Sequence, residues 1–271
     1  MTTGAGEANA APNDVPRLGR VTALGWIRAM TPGSEGGGSQ PHLFATTAGS
    51  FMVKVSNNPQ GARVLVNDLV GGLCLDWLGV HHPRPAVVDV SQDVIDDSPG
   101  AKFADGTVLA PGLAFGSEYW QSDAQGTIPV DQIVNEDDIA GTMTLDTWIH
   151  SYDGRQYRTR PEPEQPGKYE AVPIDQGHCF GNPGWTPDTL AAARAVTVST
   201  PIKPVSTPIV TVFVKRLRAF DRQASATLLA HVPSEWITDE EREALLVYLA
   251  ERAALAAGAL SAQYGIGDPG E

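Results

Sequence analysis

The stretch from Thr144 to Phe180, TLDTWIHSYDGRQYRTRPEPEQPGKYEAVPIDQGHCF, constrains the fold more than any other, because it changes character several times in a short span. A helix-like run gives way to the polar loop SYDGRQ. A charged, proline-punctuated segment follows, and then an apolar run, AVPID, that ends on an acid followed at once by Gln176 and Gly177. A chain with this alternation must mix helices and strands. It also delivers two carboxylates to two different settings: Asp153 in a loop after a helix, and Asp175 at a strand end beside a flexible turn. Phosphoryl transfer uses that pair of settings, with a loop acid orienting an attacking hydroxyl and a strand-end acid holding the metal that bridges nucleotide phosphates. Taken singly, a D-G is usually a turn and an I-D-x-G usually a strand exit, so the weight of the pair rests on the remainder of the chain.

The N-terminal half supplies a compatible set. Residues 1–16 are rich in Ala, Gly, Asn and Pro without periodicity and are expected to form a disordered leader. Structure is expected from Arg17, with VTALGWIRAM as a strand or short helix. A glycine-rich turn spans Gly33 to Ser39, and HLFAT, a turn at Ala48–Ser50 and FMVKV read as a hairpin. Such a turn lets backbone N–H groups approach phosphate oxygens, and Lys54 adds a point charge to the same space. The plainer alternative is a surface loop followed by a strand with one exposed lysine. Apolar residues recur at helical spacing from about residue 60 to 78, with Pro59 near the start and Gly79 past the end, so an amphipathic helix is predicted there. Asp68 lies within it, either paired with Lys54 or solvated on the polar face. PRPAVVDVS reads as a strand, and GTVLAPGLAFGSEYW as the connection between two lobes. Another helix runs from Asn135 through IAGTMTLDTWIHS. Beyond a proline-broken stretch containing Pro201, Pro204 and Pro208, two C-terminal helices are expected, at about 212–231 and Asp239–Ala262, the second entered through a Thr238/Glu241 capping box.

Composition excludes several classes. The formal charge is -13 with a pI near 4.8, and the densest basic group is only Lys215, Arg216 and Arg218, so no direct nucleic-acid binding is expected. Cys74 and Cys179 are too few and too far apart for a disulfide framework or a C-x-x-C zinc site, which fits a reducing compartment. Neither an apolar signal segment nor eighteen consecutive apolar residues occur, so no membrane span is expected and the cytoplasm is the expected location, bacterial or that of a host. His42 and His178 flank the candidate site but read as structural; Cys179 reads as a buried filler, and Trp148 as a brace for the Asp153 loop.

In order, GGGSQPHL, FMVKVSNNPQGARVLVND, LAFGSEY, NEDDIAGTMTLDTWIHSYDGRQ, IDQGHCF and HVPSEWITDEEREAL resemble the bacterial HipA-like kinase family, in its compact branch, over roughly residues 20–255. The resemblance implies an α+β, two-lobed, protein-kinase-like fold, with a β-rich N-lobe over 17–115, a mainly helical C-lobe over 116–263 and a frayed tail over 264–271. It implies ATP and Mg2+, and phosphorylation of a Ser or Thr hydroxyl on an unknown protein substrate, its own chain included. By position Asp153 is the catalytic base, Asp175 and Gln156 the metal ligands, and Lys54 paired with Asp68 the phosphate-gripping lysine. Gly36, Gly37, Gly38, Ser39 and Gln40 form the phosphate-facing loop. The sequence departs from the family in three places. The helix acid is Asp68 where Glu is usual, so its pairing with Lys54 must be drawn in or bridged by water. Ser151, beside His150, stands where an Asn is common. No Asn follows Asp153 at the usual spacing; Arg158 falls there, and a cation in that place would repel a second metal. A nucleotide-binding pseudokinase acting as an interaction protein, or a scaffold without nucleotide, are the alternative readings.

Overall fold

The computed structural model describes residues 19–30, 38–120, 128–181 and 183–267. The leader expected over 1–16, together with Gly36 and Gly37, lies outside them.

Five strands form a closed barrel: β1 (Arg20–Ala29), β2 (His42–Thr46), β3 (Gly49–Lys54), β4 (Pro85–Val90) and β5 (Gly112–Glu118), in the order β1-β2-β3-β5-β4. The hairpin is β2–β3, in register from His42↔Val53 to Thr46↔Gly49. Closure was not legible beforehand. It comes from β1, whose ladder to β2 shifts register between Ala23 and Gly25 and again between Trp26 and Arg28. Such irregularities bend a strand, and the start of β1 thereby reaches β4 in parallel, Arg20↔Val87 to Thr22↔Asp89. The interior is filled by alternate residues, among them Val21, Ala23, Phe44, Phe51, Val53, Val88 and Ala114, with Ile95, Phe103 and Leu109 completing it. The segment expected to connect the lobes therefore belongs partly to the barrel, as β5; the connection begins at Tyr119. His42 is structural: its Nδ1 accepts from Trp26 Nε1 at 3.1 Å, and burial pushes its pKa down to about 4, so the ring is neutral.

The first long helix, α1 (Arg63–Leu78), ends on Gly79 in the left-handed conformation. The amphipathic pattern that the spacing suggested is not realised, since residues on nearly every side of the helix are buried, Asn67 and Asp68 included. Its Leu65, Leu69, Val70, Leu73 and Leu78 join the helical core and not the barrel interior. A short helix, α2 (Gln92–Asp96), takes up the acidic stretch.

The other half is mainly helical: α3 (Glu136–Ile149), α4 (Pro187–Ala192), α5 (Thr207–Arg218), α6 (Arg222–Leu229) and α7 (Asp239–Tyr264), with one hairpin, β6 (Gln156–Pro161) and β7 (Tyr169–Ile174). The single helix expected over 212–231 is two. α5 starts earlier because Pro208 sits in its first turn, where no intrahelical donor is lost. α6 starts afresh where Asp221 accepts from Ala224 N at 2.8 Å. α7 opens with the Thr238/Glu241 capping box. By length and composition α7 passes as a membrane-crossing helix, yet Leu245, Leu249, Ala253 and Leu260 are buried in the helical core. Its Arg252 is buried too, donating to the carbonyls of Trp148 at 2.7 Å and of Ala193 and Ala195 at 2.8 Å.

Candidate active site

A cleft opens between the barrel and the other half of the molecule. Ser39, Met52, Lys54, Phe115 and Glu118–Trp120 line it from one side, and Gln156, Arg158 and Ile174–Gln176 from the other. A recess adjoins it, lined by Gly38, Gln60, Ser151, Asp153, Gly154, Arg155, Gln156, Asp175 and His178. Lys54, Asp153, Asp175 and Gln156 thus come together, from the barrel, a loop, a strand end and a hairpin.

Lys54 ends β3 with its side chain 9% exposed, and its Nζ lies 2.8 Å from Asp68 Oδ2 and 2.9 Å from Asp175 Oδ1. Burial alone would favour a neutral amine, but Asp175 and Asp68 outweigh it and hold the ammonium protonated. The Lys54 charge in turn holds Asp175 down to about 2. Asp68 is opposite in sign: deep burial pushes it up to about 6 against the pull of Lys54. Its contact with Lys54 is direct, with no water needed to span the missing methylene.

The close approach of α1 makes that possible. A Cβ on Gly71 would stand 2.5 Å from Gln176 Cβ, so only glycine lets the helix lie this near to residues 175–177. Once there, Asp68 Oδ1 accepts from Gln176 N at 2.9 Å, Asn67 Nδ2 donates to Gly177 O at 2.7 Å, and Asn67 Oδ1 accepts from Trp185 Nε1 at 2.8 Å. Asp175 itself has φ +58°, a left-handed conformation uncommon outside glycine and asparagine-like residues, and one concentrated at functional sites.

The Asp153 loop leaves α3 through His150, also left-handed at φ +53°. It lies against the returning chain, with Phe180 N donating to Ile149 O at 2.8 Å, Gly181 N to His150 O at 3.1 Å and Tyr152 N to His178 O at 2.8 Å. Asp153 is 64% exposed, its Oδ1 accepting from Gly154 N at 2.9 Å and its Oδ2 lying 3.4 Å from His178 Nδ1. Trp148 is fully buried and donates to Leu249 O at 2.9 Å, fixing the end of α3 to α7. Cys179 is buried, and burial pushes its thiol far above the usual range, so it fills space and does not react.

Arg158 lines the same cleft as Gln156 and Asp175. Its guanidinium lies over the Tyr119 ring, 5.8 Å from the centroid, on the wall where the two halves connect. Besides Lys54, Arg155 reaches Asp175, donating to its backbone carbonyl at 3.1 Å while pairing with Asp146. Arg155 is neutralised by Asp146. Of the loop expected to face phosphate, Ser39 lines the cleft and Gly38 the recess, whereas Gln40 is turned away, its Oε1 accepting from Ala104 N at 2.8 Å. Asn67, Asp146, Arg155 and Gln60 went unread in the sequence. A signal existed for one of them: Asn67–Asp68 is a polar pair inside an apolar run, and such a pair is buried only with partners.

Among the described residues no trio of His, Cys, Asp or Glu is placed to hold a metal ion. Asp175 and Gln156 nonetheless both line the cleft and carry hard oxygen donors, and magnesium commonly takes one or two carboxylates and completes its shell with substrate phosphates. The residues present fit it.

No family model and no curated protein matches the sequence. Among solved structures, a Helicobacter pylori proinflammatory kinase, CtkA, superposes with TM-score 0.56 at 11% identity, covering 89% of this chain and 96% of that one. A Golgi casein kinase gives TM-score 0.48 at 10% identity, over 89% of this chain and 75% of that one. The barrel, the helical half and the cleft between them make up a kinase-like α+β fold.

Proposed function

We propose that the chain is an ATP- and magnesium-dependent protein kinase of the HipA-like type, acting on Ser or Thr hydroxyls of a protein substrate. The observation that carries this reading is the meeting of Lys54, Asp68 and Asp175, from three separate elements, at one cleft whose adjoining recess is lined by Asp153. In the proposed step the acceptor oxygen bonds to the γ-phosphorus, the bond from that phosphorus to the β,γ-bridging oxygen breaks, and its electron pair leaves with ADP. The acceptor's proton passes to the Asp153 carboxylate. Lys54 pairs with the nucleotide phosphates, Asp68 keeps its ammonium aimed at them, and the backbone of Gly38–Ser39 covers them. Asp175 and Gln156 would hold magnesium, which when bound supplies positive charge to the phosphate oxygens. Both cysteines are free and buried, in keeping with a reducing cytoplasm.

Radiolabel transfer from γ-labelled ATP to the chain itself, or to a mixed protein substrate, tests the reading. Asp153→Ala should lower transfer by about 100-fold or more while leaving Mg·ATP binding intact. Transfer that is indifferent to Asp153→Ala refutes it. The donor set of one carboxylate and one amide favours a second reading, a nucleotide-binding pseudokinase. A magnesium-dependent thermal shift with ATP, without label transfer, would select it.

A further inference from the structure

Gly38, Gln60, His178 and Asp153 come from separate stretches and form one line across the recess beside the cleft. His178 presents Nδ1 to Asp153 Oδ2 at 3.4 Å and Nε2 to Gln60 Nε2 at 2.9 Å. An amide nitrogen only donates, so with the Gln60 amide oriented this way His178 Nε2 is the acceptor, and a neutral ring would carry its proton on Nδ1, facing the carboxylate. Gln60 is itself held. Its backbone N–H donates to Asn58 Oδ1 at 3.0 Å, and its side-chain amide lies so close to Gly38 that a Cβ there would be 2.8 Å from Nε2. The carbonyl of His178 accepts from Tyr152 N at 2.8 Å, which ties the ring's backbone to the residue before Asp153.

Asp153 needs such support. Its side chain is 64% exposed, and a carboxylate in that position samples rotamers unless something aims it. The N–H of Gly154 fixes only Oδ1.

We propose that His178, kept in its Nδ1–H tautomer by Gln60, is the positioning residue for Asp153. The imidazole donates to Oδ2 and orients the carboxylate toward the acceptor hydroxyl, and the Gln60–Gly38 contact ties that orientation to the phosphate-facing loop. His178 keeps its own proton throughout; the acceptor's proton goes to Asp153. The 3.4 Å separation is long, as such contacts often are before substrate binds. The role of His178 rests on the kinase reading above, whereas the tautomer can be read without it.

Two measurements on the full chain test the inference. In 15N-histidine correlation spectra, with His178→Asn supplying the assignment, His178 should be the Nδ1–H tautomer. In Gln60→Leu it should move to Nε2–H, the commoner form of a free imidazole. An Nε2–H ring in the wild type, or a ring unmoved by Gln60→Leu, overturns the proposal. In transfer kinetics His178→Ala should lower kcat by about 10–100-fold, with KM for ATP within about two-fold, since a misaimed base harms the step and not the binding. His178→Asn keeps a side-chain N–H in reach of Oδ2 and should recover most of the loss. Equal losses in the two variants, or a change confined to KM, overturn it. A wild type that transfers no label refutes the kinase reading, and with it any kinetic role for His178; the spectra still decide the Gln60–His178–Asp153 arrangement on its own.

Discussion

Replacing Arg155 by Met should destabilise the protein more than almost any other single change near the site. Both Arg155 and Asp146 are 7% exposed at the side chain. The guanidinium donates to both Asp146 oxygens, through Nη2 and through Nε at 3.2 Å, and also to the carbonyls of Asp175 at 3.1 Å and Ile174 at 3.3 Å and to the Gln176 side chain. Removing it leaves a buried carboxylate with no cation and several acceptors with no donor. Losing one partner of a buried pair costs about 3–5 kcal/mol. Asp146→Asn keeps one acceptor for the guanidinium and should cost less, about 2–3 kcal/mol. The double variant Asp146→Leu/Arg155→Met buries no orphan charge, so its cost should fall short of the sum of the singles by at least about 2 kcal/mol. Equilibrium urea unfolding with a common m-value measures all three. A single-variant cost below about 1 kcal/mol, or strict additivity, would refute the reasoning, because either would mean that the pair is hydrated and not a buried support of residues 174–176.

Two further outcomes follow from the ion cluster and the helix beside it. Asp175 is held near 2, below its unfolded value of 3.8, so its contribution to stability is present above about pH 4 and is lost as pH falls toward 2. Asp68 is raised to about 6 and has the reverse sign, its stabilising proton being lost as pH rises from 3.8 through 6. Lys54→Met withdraws the cation from both carboxylates, so its stability deficit against the wild type should be smallest at or below about pH 2, where both are protonated, and grow by about 2 kcal/mol by pH 7; a pH-independent deficit in chemical unfolding contradicts this. Gly71→Ala should destabilise by about 1–3 kcal/mol and weaken Mg·ATP binding, because the new Cβ meets Gln176 Cβ at 2.5 Å. Gly258→Ala on α7 meets nothing within 4 Å and should instead stabilise by up to about 1 kcal/mol, so equal effects at the two positions would contradict the close-approach argument.

Much of the fold was legible where local chemistry decides. The hairpin carrying Lys54, the helix ended by Gly79, the helix before Asp153 and the strand before Asp175 all follow from period and turn residues. Barrel closure was not legible, since it depends on two irregularities in β1 and a parallel contact with β4, long-range features that no local pattern encodes. β6 was hidden for another reason: QYRTRP has the charge of a surface loop, and it is a strand because β7 offers it a partner. Counting residues from Asp153 assumes a loop where the chain has already entered β6, so the count alone does not fix where Arg158 stands. Arg155, two residues after the acid, could have been weighed as its local cation; nothing in the sequence showed Asp146 turned inward to receive it.

The short acid at position 68 and the glycine at 71 are one solution and not two accidents. A carboxylate one methylene shorter than Glu reaches a lysine only if its backbone comes nearer, and a helix comes nearer only where a side chain is absent. Asp68 meets Lys54 at 2.8 Å on one side and the backbone N–H of Gln176 at 2.9 Å on the other, while Asn67 takes the Gly177 carbonyl. The apolar residues of α1 meanwhile belong to the core of the helical half. The helix is therefore anchored in one half and grips the charged end of β3 in the other, so the spacing between Lys54 and Asp175 is set by packing before any nucleotide arrives. An α1 free to swing would have to expose Leu69, Leu73 and Leu78 together with a buried Asn–Asp pair, each of the apolar side chains costing about 1.5–3 kcal/mol. Opening of this cleft is consequently expected to move the Gly38–Ser39 loop and the Tyr119–Trp120 connection, with α1 staying where it is.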